Sequence, residues 1–127
     1  MTDALTERAR THLPLSDAVF HLMLSLADGP AHGYGILLEV EERSDGAVRM
    51  GTGTLYSAVK RLRDQGLIED VAPPANGGAS VAAGDPRRRY YALTSLGRIV
   101  LREEARRLEA LVLFARRKSV LDFGDPV

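Results

Sequence analysis

MGTGTLYSAVKRLRDQGLI, residues 50–68, is the stretch of sequence that decides the fold. Thr52 stands where its hydroxyl can cap a helix by accepting hydrogen bonds from amides one turn further on. Gly66 stands where a helix commonly ends in a left-handed residue. Between these two ends, apolar side chains recur at helical spacing, at Leu55, Val59 and Leu62. The pattern predicts a short amphipathic helix, and Leu67 and Ile68 continue the apolar run into a strand.

The face of this helix that lies away from the apolar stripe is polar and mostly basic. It carries Thr54, Ser57, Lys60, Arg61 and Asp64. A short amphipathic helix with such a face is what helix-turn-helix proteins insert into the major groove of DNA. We therefore interpret residues 52–65 as a recognition helix.

The preceding sequence predicts the other helices of such a core. Residues 3–12 favour a short N-terminal helix, and a second helix follows Ser16 with a regular apolar stripe. A third helix is predicted over residues 33–43, with a buried side made of Tyr34, Leu37, Leu38 and Val40. Residues 48–50 are predicted to add a brief strand-like segment before the recognition helix.

The sequence after Gly66 changes from helical spacing towards extended chain. Residues 67–71 and 88–93 are short runs of apolar, β-branched or aromatic residues and predict a hairpin. The tract 73–86 between them is rich in Pro, Gly and Ala and has little large apolar surface. Such a hairpin beside a recognition helix is a wing, and its basic residues Arg87, Arg88 and Arg89 are suited to contact the phosphate backbone or the minor groove.

The last helix is predicted to begin after Thr94 as N-cap and to run to about residue 118. Five apolar residues on it follow a heptad spacing over two heptads, at Leu101, Ala105, Leu108, Val112 and Ala115. Leu111, Leu113 and Phe114 widen this apolar face. A helix of this length that projects from a small domain needs a surface to cover it.

Four motifs, taken in order, resemble the PadR family of winged-helix transcriptional regulators. They are His32-Gly33-Tyr34-Gly35-Ile36, Gly53-Thr54-Leu55-Tyr56, Lys60-Arg61-Leu62, and Arg88-Arg89-Tyr90-Tyr91-Ala92-Leu93-Thr94 with Gly97. The resemblance covers roughly residues 15–118. Two departures are visible: Ser57 stands where the family usually has proline, and the segment between the wing strands is long.

The resemblance implies an α+β, mainly α, winged helix-turn-helix fold with a two-stranded wing and a long C-terminal dimerisation helix. Residues 1–94 would form the DNA-binding domain, residues 95–118 the dimerisation helix and residues 119–127 a tail. The expected DNA contacts are Thr52, Thr54, Tyr56, Ser57, Lys60, Arg61, Arg87, Arg88 and Arg89. The expected homodimer interface consists of Leu101, Ala105, Leu108, Leu111, Val112 and Ala115. A dimer would place two recognition helices about one DNA turn apart and predicts a pseudo-palindromic operator.

Composition excludes several other classes of protein. The chain has 127 residues, one domain by length, and its 17 basic and 17 acidic residues give no net charge. It has no cysteine, and its three histidines have no metal-ligand spacing, so we expect no metal and no cofactor. No apolar run approaches the roughly 20 residues that span a bilayer, which predicts a cytoplasmic bacterial protein without a membrane partner.

The predicted function is that of a sequence-specific DNA-binding regulator, more specifically a repressor, and not an enzyme, because neither a nucleophile nor an acid/base pair is evident. Family members often respond to small aromatic or hydrophobic effectors, and Phe20, Met23, Leu111 and Phe114 are candidates to line such a pocket or to belong to the core. The absence of tryptophan excludes a pocket of stacked indoles. The alternatives are a winged-helix dimer that acts as a protein-interaction module with weak or no DNA binding, and a DNA-binding dimer without an effector.

Overall fold

The structure is a computed structural model that describes residues 3–74, 89–122 and 124. Within these residues it has five helices and three strands. They are α1 (Ala4–Arg10), α2 (Asp17–Leu24), β1 (Ala31–His32), α3 (Gly33–Arg43), α4 (Thr52–Asp64), β2 (Ile68–Val71), β3 (Tyr90–Leu93) and α5 (Ser95–Arg117). The mainly helical α+β class predicted from the sequence is confirmed.

A single apolar core joins α4 to the other helices and to the sheet. The predicted stripe of α4 is fully buried at Leu55, Val59 and Leu62. It meets apolar residues of the other elements, among them Leu22, Met23, Ile36, Val40, Ile68, Tyr91 and Val100. Burial of this stripe orients α4, because it turns the opposite, polar face of the helix towards solvent.

The sheet has the strand order β1-β3-β2, and both strand pairs are antiparallel. The pair β2–β3 is the predicted hairpin, in which Ile68 lies opposite Leu93. The strand-like segment predicted at residues 48–50 does not form, and the third strand, at residues 31–32, was not predicted. Val48 instead donates its backbone N–H to the Ser44 hydroxyl at 2.9 Å, which closes a turn after α3.

The predicted buried side of α3 is also partly wrong. Ile36 and Val40 are fully buried, whereas Tyr34 and Leu38 are 58% and 50% exposed. Because 3.6 residues make one helical turn, Ile36 and Val40 share one face, and Tyr34 and Leu38 lie together on another. The helix therefore presents an exposed pair of large side chains beside its buried face.

The ends of α4 differ in how well they were predicted. The N-cap is Gly51 and not Thr52, which is the first helical residue, and no side chain caps this end. A glycine N-cap is commonly tolerated, which explains the one-residue shift. At the other end Gly66 has a φ of +76°, and the Leu67 N–H donates to the Leu62 carbonyl at 2.9 Å, as in a Schellman ending.

Two buried carboxylates attach α5 to the N-terminal part of the chain. Glu103 accepts from the Arg10 guanidinium at 3.1 Å and also pairs with Arg102 and Arg106. Burial raises the pKa of Glu103, but the hydrogen bonds from these arginines outweigh it and hold the pKa below its usual range. Glu103 therefore stays ionised at neutral pH.

Glu104 lies one residue further on and accepts two hydrogen bonds of its own. Its carboxylate pairs with Arg107 and accepts from the Leu15 N–H at 2.6 Å. The hydrogen bond from Arg107 lowers the pKa of Glu104 despite its burial, and the Leu15 amide lowers it further. The ionised form of Glu104 thus connects α5 to the segment between α1 and α2.

Glu104→Gln should lower the free energy of unfolding at neutral pH by about 1–2 kcal/mol, because the amide loses the charge-assisted hydrogen bond from Arg107. In the native protein the folded-state pKa lies below the ordinary value. The stability that ionised Glu104 contributes is therefore present when the pH is above that ordinary value, and it is lost as the pH falls through the folded-state pKa. Urea unfolding at a series of pH values should show that the free energy of unfolding falls less steeply towards acid pH in the variant than in the native protein. Glu109→Gln, at an exposed position of the same helix, is the control; equal losses in both variants would contradict the prediction.

Candidate nucleic-acid interface

The outer face of α4 presents six of the residues that the sequence assigned to DNA contact. All six are exposed: Thr52, Thr54, Tyr56, Ser57, Lys60 and Arg61. Because the buried stripe fixes the rotation of α4, these side chains form one continuous polar surface along the helix. The surface offers hydroxyl donors and acceptors near the start of the helix and cations further along.

Tyr56 belongs both to this surface and to the packing of α3 on α4. Its side chain is 48% exposed, yet its phenol oxygen lies so near Gly33 that a Cβ there would come within 2.8 Å of it. Next to Gly33, the His32 Nδ1 accepts from the Gly35 N–H at 3.0 Å and caps α3. Because Gly33 has no side chain, the motif at residues 32–36 packs closely against the motif at residues 53–56.

A groove runs between the start of α2 and the exposed face of α4. It is lined by Ser16, Ala18, Val19, Met50, Gly53, Thr54, Ser57, Ala58 and Arg61. The sequence reasoning missed the contribution of α2 to this surface. The start of α2 after Ser16 was predicted, and Ser16 accepts from the Val19 N–H there, but this local cap does not indicate that α2 lies beside α4.

Most cations on or near the outer face of α4 have a carboxylate close by. Lys60 pairs with Asp64 at 3.2 Å, one helical turn away. Arg63 pairs with Asp70 of β2 at 3.1 Å, and Arg89 approaches the same carboxylate at 3.6 Å. In contrast, Arg61 forms no ion pair with any residue that the structure describes.

Of the three arginines predicted in the wing, the structure describes Arg89. Arg89 lies just before β3, and its side chain is 68% exposed. Arg87 and Arg88, predicted to contact DNA, lie outside the described residues. Of the three arginines, the structure therefore brings Arg89 close to α4, because Asp70 pairs with both Arg89 and Arg63.

The residues assigned to the dimer interface have different surroundings along α5. Leu101 is buried in the core of its own subunit, Leu108 and Val112 are half-buried, and Ala105 is exposed. Leu111 and Phe114 are 53% and 56% exposed, and Ala115 is half-buried. Of the proposed effector-pocket residues, Met23 lies in the core and Phe20 packs against it.

Neither metal ligands nor a membrane span were found in the part of the chain that the structure describes. Its His, Asp and Glu side chains form no group of three that could hold a metal ion. None of its helices is both long and apolar enough to cross a membrane. Burial in the core raises the pKa of the Tyr91 phenol.

The family model for PadR-like transcriptional regulators matches residues 22–103, which include α3, α4 and all three strands. The chain belongs to this family. The family consists of transcriptional regulators and not of enzymes, and the sequence-based resemblance to PadR proteins is confirmed.

Two relatives of this PadR-like chain are about equally similar in sequence. The transcriptional regulator Rv3488 of Mycobacterium tuberculosis is 33% identical over 91 residues, which cover 72% of this chain and 75% of that protein. An uncharacterised 37.1 kDa protein from a transposon of Streptomyces fradiae is 33% identical over 96 residues. The match covers 76% of this chain but only 24% of the transposon protein.

Solved structures share the fold of the PadR-like chain. A PadR family regulator from Clostridium difficile R20291 superposes with a TM-score of 0.64 and 22% identity, covering 80% of this chain and 97% of that one. Bacillus subtilis PadR, solved in complex with operator DNA, superposes with a TM-score of 0.53 and 20% identity, covering 67% of this chain and 44% of that one. At these identities the likeness supports the winged-helix fold.

Proposed function

We propose that this PadR-like protein binds double-stranded DNA sequence-specifically as a homodimer and represses transcription. The observation that carries the proposal is the polar outer face of α4, held outward by a fully buried apolar stripe. Bacillus subtilis PadR, which has the same fold, was solved bound to operator DNA. A helix with such a face fits the major groove, where base edges carry a distinct hydrogen-bond pattern for each base pair.

Different residues of this face suit different parts of the duplex. Thr54 and Ser57, near the start of α4, would hydrogen-bond phosphates and so fix the register of the helix. Lys60 and Arg61 would reach base edges or phosphates further along, and Tyr56 would contact the sugar-phosphate backbone. Thr52 and the wing arginines Arg87, Arg88 and Arg89 remain proposed backbone contacts.

The proposal of a homodimer rests on the exposed apolar face of α5. Leu111 and Phe114 lie on the same helical face as Leu96, Val100 and Glu104, which are buried within the subunit. The face that the subunit itself covers therefore continues, uncovered, into the second half of the helix. A second copy of α5 would cover it and bury two exposed large side chains per subunit.

A small hydrophobic or aromatic effector is compatible with this arrangement. Such a ligand would act by binding the DNA-competent and incompetent dimers with different affinity, which changes the separation of the two recognition helices. Leu111 and Phe114, which are exposed in the single subunit, are the proposed contacts.

The second candidate function is a winged-helix dimer that recognises a protein and binds DNA weakly. The neighbouring carboxylates favour this alternative, because Asp64 and Asp70 neutralise Lys60, Arg63 and Arg89 at least in part. It predicts a dimer that shows little salt-dependent affinity for any duplex.

Selection of bound sequences from a random duplex library, at two salt concentrations, separates the two functions. A sequence-specific dimer should enrich a pseudo-palindrome and lose affinity steeply as salt rises. A folded dimer that enriches no sequence at either salt concentration would contradict specific DNA recognition and favour the interaction module.

Arg61→Ala should weaken operator binding by about 5- to 150-fold, the loss of about 1–3 kcal/mol typical of a base-edge arginine. Arg61 is exposed, lines the groove beside α2 and pairs with no carboxylate of the described residues, so its charge is free for DNA. Fluorescence anisotropy with the selected operator and a scrambled duplex measures the change. Loss of discrimination between the two duplexes identifies a base contact, and an equal loss for both identifies a phosphate contact. Lys118→Ala removes a cation at the end of α5 as the control, and a matching loss there would contradict the assignment.

A further inference from the structure

We propose that Asp70 is an internal competitor for DNA phosphate, which holds Arg63 and Arg89 and thereby lowers the affinity of the protein for duplex DNA of any sequence. This inference rests on the proposed function, since it concerns the same DNA-facing surface. It assigns to a carboxylate a role in setting the strength of binding.

The geometry around Asp70 joins the recognition helix to the wing. Both carboxylate oxygens lie near the Arg63 Nη1, at 3.1 and 3.3 Å, and one of them lies 3.6 Å from the Arg89 Nη1. Arg63 extends from α4, Asp70 from β2, and Arg89 precedes β3. One anion therefore lies between cations of the two elements that are proposed to contact DNA.

The chemistry of this cluster imitates that of a nucleic-acid contact. A carboxylate carries one negative charge on two oxygens, as a phosphodiester does, and guanidinium groups bind both anions in the same way. All three side chains are partly exposed, so the ion pairs are weak and a phosphate can replace Asp70. Each arginine that turns to DNA must first leave the carboxylate, which subtracts from the affinity gained.

The neighbouring residue Glu69 provides a matched control. Successive side chains of a strand point to opposite faces, so Glu69 lies on the other side of β2 from Asp70. It lines a separate groove with Arg8 and Arg98, near the start of α5. Glu69→Gln and Asp70→Asn change the net charge equally, at adjacent positions, but only Asp70→Asn frees Arg63 and Arg89.

The test is the salt-dependent binding of a random-sequence duplex of about 25 base pairs by the full chain. Asp70→Asn should raise affinity about two- to fivefold at low salt, the range that corresponds to an exposed ion pair. It should also steepen the slope of log affinity against log salt by about 1–2, because each added phosphate contact contributes about 0.9. Glu69→Gln should change neither quantity appreciably. Asp70→Ser serves as a second neutral variant, and thermal unfolding verifies that each variant is folded.

A second comparison tests the competition itself. In a background that carries Arg63→Gln and Arg89→Gln, the gain from Asp70→Asn should vanish, since no held cation remains to be released. A gain that persists there would overturn the proposal and would indicate general repulsion between Asp70 and DNA. Equal behaviour of Asp70→Asn and Glu69→Gln would overturn it as well, while normal binding by the unmodified protein would leave the proposed function intact. If neither the unmodified protein nor Asp70→Asn binds any duplex, both the inference and the proposed function fail.

Discussion

Gly97→Ala is expected to lower the free energy of unfolding by about 3 kcal/mol or more, a large part of the stability of a small domain. A Cβ at position 97 would lie 2.0 Å from the carbonyl oxygen of Leu67, which belongs to the backbone and has little room to yield. Gly97 also donates its N–H to the capping Thr94 hydroxyl at 3.0 Å, and that hydroxyl donates to the Gly66 carbonyl at 2.6 Å. Any shift that relieves the clash therefore disturbs the junction between α4, β2 and α5.

Chemical unfolding monitored by circular dichroism measures the effect of Gly97→Ala. The matched control is Gly53→Ala, because position 53 lies within α4 and a Cβ there would meet nothing within 4 Å. The control should be neutral or stabilising by up to about 1 kcal/mol, since alanine is the better helix former. If Gly97→Ala proved as stable as the native chain, the close approach of α5 to Leu67 would be contradicted.

Leu111→Glu is expected to convert the proposed dimer to a monomer, raising the dissociation constant by about 100-fold or more. Loss of a central apolar residue from an interface typically costs about 3 kcal/mol of binding free energy, which corresponds to this change. Leu111 is more than half exposed in the single subunit, so the substitution leaves the fold of the subunit unchanged. In the proposed dimer, however, the partner's helix would bury the glutamate without a partner charge, which opposes association. Sedimentation equilibrium over a range of protein concentrations measures the change.

Leu113→Glu is the control for Leu111→Glu. Leu113 is also exposed on α5, but it lies 200° around the helix from Leu111 and so faces away from the continued apolar stripe. It should remain a dimer of nearly native affinity. Leu108→Glu is a less informative variant, because Leu108 is half-buried within its own subunit and the charge would also disturb the monomer. A fully dimeric Leu111→Glu would show that α5 associates through another face.

Periodicity and turn residues predicted most of the fold because helices, caps and turns are determined largely by residues that are close together in the sequence. The buried stripe of α4, the left-handed Gly66 and the Thr94 cap each depend on residues within one or two turns, and all three are confirmed. The order of helices and hairpin follows from the same local signals. The strand at residues 31–32 was missed because two residues carry no period, and its partner β3 lies about 60 residues away.

The candidate site was less predictable than the fold for the same reason. The exposed face of α4 follows from its buried stripe, so its members could be named from spacing alone. The pairing of Arg63 and Arg89 with Asp70 depends on how β2 and β3 meet α4, which no local pattern encodes. The exposure of Tyr34 and Leu38 was misjudged because apolar side chains on a short helix do not indicate which of them the core will accept.

The close fit of Tyr56 over Gly33 limits how this protein can be redesigned. Grafting the base-reading side chains of another regulator onto α4 should succeed only if Tyr56 is retained, because its ring is seated on the backbone of α3. A Cβ at position 33 would lie 2.8 Å from the Tyr56 phenol oxygen and 3.1 Å from a methyl group of Leu55, so a larger residue there would displace the Tyr56 side chain from this position. A substitution at Lys60 or Arg61 should therefore leave the packing of α3 on α4 unchanged, whereas a substitution at Tyr56 should alter it.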